Sequence, residues 1–80
     1  MNKSRRKRLE AAFGKAKELK DEIEAIKDEE QEAHDNLPES LQYAENGENM
    51  QGIVDDLDYA FSSMEDVVDN MKEAIEKCDQ

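Results

Sequence analysis

Residues 50–78 read MQGIVDDLDYAFSSMEDVVDNMKEAIEKC. Met50, Leu57, Met64, Met71 and Cys78 recur every seven residues. Ile53, Ala60, Val67 and Ala74 form a second row three positions on, and Val54, Phe61, Val68 and Ile75 a third. Steps of three and four put all three rows on one side of an α-helix. A simple two-helix seam needs only two apolar positions per heptad, so this helix carries one row too many. Helix one covers one groove of it. The expected self-association or partner surface is therefore on this helix, at Val54, Phe61, Met64, Val68, Met71 and Ile75.

Upstream, a narrower pattern of Leu9, Ala12, Ala16, Leu19, Ile23, Ile26 and Ala33 alternates steps of three and four, interrupted at Glu30. Ser4 is the expected cap, and the intervening Lys, Glu and Ala residues favour a helix. Phe13 widens the stripe. Between the two helices lies HDNLPESLQYAENGENM, in which Pro38 lacks an amide hydrogen and disfavours helical geometry at Leu37. Asn36 or Asp35 can satisfy free backbone donors there. Pro38 suits the first position of a new helix, and Leu37 and Leu41 are expected to fold inward as a plug. Asn46-Gly47 is expected to weaken or kink the chain before Met50. The fold class that follows is all-α: an antiparallel two-helix hairpin with helices over about residues 4–33, 38–44 and 48–78, assembling into a helical bundle. Residues 1–80 form one domain with a basic arm at 1–8.

Charge limits the function classes. The chain has a net charge of -11, yet residues 1–20 sum to +6 and residues 21–80 to -17. The arm Lys3, Arg5, Arg6, Lys7 and Arg8 could hold phosphates of a nucleotide or nucleic acid. No aromatic residues interleave it. Its alternative role is to match Asp66, Asp69, Glu73, Glu76 and Asp79 at the end of the last helix, since cations at a helix start oppose the macrodipole. Acidic density elsewhere argues against nucleic acid as the main partner. Residues 21–48 hold eleven acidic side chains and one lysine, including the run DEEQE. They either solvate the surface or imitate a phosphate track.

Chemistry finds little support. Gln31 stands where a di-iron Glu-x-x-His motif would need its carboxylate three residues before His34. Asp55, Asp56 and Asp58 lack the glycine and final glutamate of a calcium loop. The lone Cys78 sits in the apolar seam, far in sequence from His34. No metal, cofactor or enzymatic activity is expected. One unpaired cysteine and the absence of an apolar run of bilayer length suggest the cytoplasm.

The residues Asn36, Leu37, Pro38, Leu41, Gln42, Gly47, Glu48 and Met50 form an NLPESLQ…GExM pattern. It resembles short acidic helical proteins of Gram-positive bacteria and their phages, most of which lack a described function. That resemblance implies a mobile-element accessory protein that binds and blocks a host factor. The expected function is thus a non-enzymatic interaction protein, favouring a homodimer, that engages a larger protein such as a nucleic-acid-binding or defence factor. An oligomeric phosphate- or nucleic-acid-binding module and a structural subunit of a larger assembly are the alternatives.

Overall fold

The computed structural model describes residues 1–78. Three helices follow in order: α1 (Lys3–Asp35), α2 (Glu39–Gln42) and α3 (Glu45–Lys77). Each long helix has 33 residues, or about 50 Å at 1.5 Å per residue. They pack lengthwise into a body of 58 × 14 × 13 Å. Lys27 meets Asp58 at 3.3 Å while Met1 Sδ lies 3.8 Å from Cys78 Sγ, so the two run in opposite directions.

Local chemistry sets the boundaries. Asn2, not Ser4, caps α1: its Oδ1 accepts the Arg5 amide at 2.8 Å, which starts the helix one residue before Ser4. The other end runs to Asp35, and the Asn36 amide still donates to Glu32 O at 3.0 Å. Pro38 precedes α2 rather than opening it, with φ -53° and ψ 144°. Its carbonyl accepts the amides of Leu41 at 2.8 Å and Gln42 at 3.1 Å, so α2 is one short turn, tighter than the expected 38–44. Gln42 Nε2 then donates back to Leu37 O at 2.9 Å and ties the turn together. Leu37 is half-buried, but Leu41 is exposed and does not act as a plug.

The second long helix starts earlier than expected. Asn46-Gly47 does not interrupt it; α3 runs continuously from Glu45, whose charge with that of Glu48 complements the helix start. Gly47 is buried because α2 crosses directly over it. A Cβ built there would collide with the carbonyl oxygens of Leu41 and Gln42 and lie 2.7 Å from Gln42 C. The glycine therefore serves close approach rather than a break.

Burial along the two helices reveals their seam. On α1 the less exposed residues include Leu9, Phe13, Ala16, Lys20, Ile23, Lys27, Glu30 and His34; on α3 and its C-cap they include Met50, Val54, Leu57, Phe61, Met64, Val68, Met71, Ile75 and Cys78, with Ala60 and Ala74 half-buried beside them. Both follow steps of three and four. Only Val54, at 6% exposure, and Val68, at 8%, are fully buried apolar side chains among the described residues. A body two helices thick keeps one flank of nearly every seam residue wet.

Helix α1 is rotated relative to its own apolar pattern. Leu9, Ala16 and Ile23 lie in the seam as expected, but Phe13, Lys20, Lys27 and His34 join them instead of Ala12, Leu19, Ile26 and Ala33. Phe13 is larger than any residue of the displaced row, and lysine stems cover apolar surface while their ammonium groups reach water. Lys27 does so here: its Nζ sits 5.4 Å from the Phe61 ring centroid and bonds Asp58.

Candidate interaction surface

The rows left out of the seam define the site. On α1 these are Ala12, Leu19, Ile26 and Ala33, with Leu19 48% and Ile26 46% exposed. On α3 they are Ile53, Ala60, Val67 and Ala74, with Ile53 48% and Val67 42% exposed and the two alanines half-buried. Each of these residues immediately precedes a seam position. A half-turn about the axis perpendicular to the plane of two antiparallel helices exchanges the helices without exchanging the sides of that plane. Equivalent positions therefore share a side, and the two spare rows form one apolar strip along the pair.

The flanking row of each helix on the opposite side is polar. There α1 presents Glu10, Lys17, Glu24 and Gln31, and α3 presents Gln51, Asp58, Glu65 and Lys72. An open cleft on that side is lined by Lys27, Asp28, Gln31, Gln51, Val54, Asp55 and Asp58. Gln31 and Gln51 spend their amides on the neighbouring carboxylates Asp35, at 2.9 Å, and Asp55, at 3.1 Å. The two long sides of the molecule thus differ sharply in character.

The residues expected to form the partner surface lie elsewhere. Val54, Phe61, Met64, Val68, Met71 and Ile75 are buried or half-buried in the seam against α1, and the exposed Ile53 and Val67 belong to the row on the other flank of the methionines. Side-chain bulk was the available signal. Val54, Phe61, Val68 and Ile75 fill a seam better than a row containing Ala60 and Ala74, so the bulkier flank goes inside.

The basic arm stays together at one end, with Lys3, Arg5, Lys7 and Arg8 exposed and Arg6 half-buried. Arg6 Nε bonds Glu10 Oε1 at 3.2 Å. Among the described residues, Lys3, Arg5, Lys7 and Arg8 make no ion pair within 4 Å with Asp66, Asp69, Glu73 or Glu76, although α3 ends at the same pole. Asp79 lies outside the described residues. His34 Nδ1 contacts Asp35 at 3.2 Å near the turn, and Cys78 lies at the other end with its thiol 3.3 Å from Ala74 O. Among the described residues no group of three or more His, Cys, Asp or Glu side chains is placed to hold a metal ion, and no helix is long and apolar enough to cross a membrane.

No family model matches the chain, and no curated protein or solved structure is significantly similar to it. The surface itself must carry the functional argument. It comprises an apolar strip along one side and, on the other, an open cleft lined mainly by carboxylates and amides.

Proposed function

We propose that this protein is a non-enzymatic interaction protein of the cytoplasm: a helical hairpin that self-associates into a bundle and binds a larger protein, whose activity it inhibits. The supporting observation is the apolar strip formed by Leu19, Ile26, Ile53 and Val67 along one side of a molecule whose other side presents polar side chains around an open cleft. Exposed apolar side chains gathered on one side of a small protein mark a contact site. The resemblance of its turn to those of phage and mobile-element proteins favours a host factor, such as a defence protein, as the larger partner. The acidic turn pole then offers the charge that a basic, nucleic-acid-binding target would meet.

Light scattering at micromolar concentration tests the first half: a monomer would remove self-association. For the second half, wild-type chain and a Leu19→Glu variant are used as baits in the native host. A partner captured by both through the polar side, or lost with the strip, supports the reading; no selective partner in either case sinks it.

A second reading rests on the exposed cluster Lys3, Arg5, Lys7 and Arg8, which could grip phosphates of a nucleotide or nucleic acid. Titration with a nucleic acid and with nucleotides at low salt, where such contacts are strongest, discriminates the two.

A further inference from the structure

We propose that the apolar strip is covered by a second copy of this chain, turned so that the turn of each copy lies toward the open end of the other, with the dyad passing at Leu19 and Val67. This rests on the self-association reading above and specifies its geometry.

Charge selects the direction. Residues 21–48 hold eleven acidic side chains and one lysine, whereas residues 1–20 sum to +6. If both turns lay at the same end, two strongly acidic poles would be pressed together. Reversing one copy instead sets the basic half of each α1 over the acidic half of the other, since α1 then faces its own counterpart in the opposite direction.

Charge also selects the register. Bordering the strip on its outer edge, at positions three or four residues from its members, are Arg8, Lys15, Glu22 and Glu29 on α1 and Asp56, Ser63, Asn70 and Lys77 on α3. Lys27 meets both Asp58 and Phe61, so opposed residues of the pair have numbers that add to about 86. Leu19 therefore lies level with Val67. A dyad there places Arg8 opposite Glu29, Lys15 opposite Glu22, Asp56 opposite Lys77 and Ser63 opposite Asn70 of the second copy. Every charged edge residue of these rows meets its opposite. Moving the dyad one heptad toward the turn, to Ile26 and Ala60, would set Glu22 against Glu29.

Geometry agrees with the charge pattern. Leu19 is the midpoint of Lys3–Asp35, so α1 overlaps its counterpart over its whole length, and Arg5 in the strip row and Arg8 at its edge come over the Glu29 end of the other chain's acidic half. That part of the arm's charge is then answered between copies. A side of 58 × 14 Å gives a footprint on the order of 800 Å² per copy, the size of a standard stable interface. The polar sides remain outward on both faces of the dimer, free for a larger partner.

The test uses the full chain carrying Cys78→Ser, with single cysteines placed on the strip and a short bismaleimide linker. Val67→Cys chains are expected to cross-link to one another, while Ala60→Cys chains do so weakly. Lys15→Glu should raise the dimer dissociation constant roughly tenfold through the two edge pairs it reverses, and adding Glu22→Lys should restore it. Leu19→Glu should raise the constant by about a hundredfold or more, because it buries an unpaired carboxylate. Efficient Ala60→Cys linkage in place of Val67→Cys would overturn the register. Linkage only between Leu19→Cys and Val67→Cys chains would mean that the turns lie together, overturning the direction while leaving self-association intact. A monomer by light scattering in every chain, Cys78→Ser alone included, would overturn the self-association reading itself.

Discussion

Replacing Gly47 with alanine should destabilise this protein, against the usual effect of alanine in a helix. Gly47 lies within α3, where propensity alone favours alanine by about 1 kcal/mol. At this site, however, the new methyl would lie against the Leu41 and Gln42 carbonyl oxygens and 2.7 Å from Gln42 C, all backbone atoms of the turn. No side chain can swing away, so α2 itself must lift. Overpacking of this kind costs about 1–3 kcal/mol, and lifting α2 strains the 2.9 Å bond from Gln42 Nε2 to Leu37 O, worth about another 1 kcal/mol. After subtracting propensity, the expected net loss is about 1–3 kcal/mol, or roughly 4–8 °C of melting temperature per kcal/mol for a chain of this size. Gly14 and Gly52 provide the internal control. A Cβ at either meets nothing within 4 Å, so Gly14→Ala and Gly52→Ala should each stabilise by up to about 1 kcal/mol. Thermal and urea unfolding followed by far-ultraviolet circular dichroism, at one fixed protein concentration, reads all three. Amide exchange at Leu41 and Gln42, whose N–H groups bond Pro38 O at 2.8 and 3.1 Å, detects lifting confined to the turn. A Gly47→Ala chain that melts at or above the wild type with those amides still protected would show that α2 does not press on Gly47.

Asn2→Ala should lower stability by about 1 kcal/mol, since it removes the acceptor of the Arg5 amide at 2.8 Å, whereas Ser4→Ala should be nearly neutral; the same unfolding curves measure both. Val68→Ala should cost about 1–2 kcal/mol because Val68 is one of the two fully buried apolar side chains among the described residues. By contrast Asp58→Asn should cost less than about 1 kcal/mol, because the Asp58 carboxylate is 65% exposed in its pair with Lys27 and water screens it. If Asp58→Asn proves the more damaging of the two, packing is not what holds the pair together.

The heptads at 50–78 made α3 legible, and Pro38 made the turn legible, because both signals are local. The rotation of α1 was not. Leu9, Ala16 and Ile23 are common to two possible seams, and a hydropathy pattern prefers the flank with Leu19 and Ile26 over the one with Lys20 and Lys27. The structure takes the other, with Phe13, Lys20, Lys27 and His34 half-buried, and there Lys27 finds both the Phe61 ring and Asp58. Those partners are 31 and 34 residues away in the chain, beyond any local pattern. The same long-range logic hid the purpose of Gly47, whose neighbour is the turn folded over it. That Ile53 and Val67 stay outside the seam was readable in principle from bulk, since the alanines at 60 and 74 in their row fill a seam poorly.

The seam has one further consequence, for how such a molecule can change over time. Each layer of it touches only the layers directly above and below, with no third element bracing the middle. Removing seven residues from each long helix would close the gap and leave every remaining contact in phase. Removing one residue from α1 would swing everything beyond it through about 100° and carry the apolar strip round to another side. Length is therefore negotiable in whole heptads, while phase is fixed, and sequences sharing this design should differ in how long they are far more readily than in which way they face.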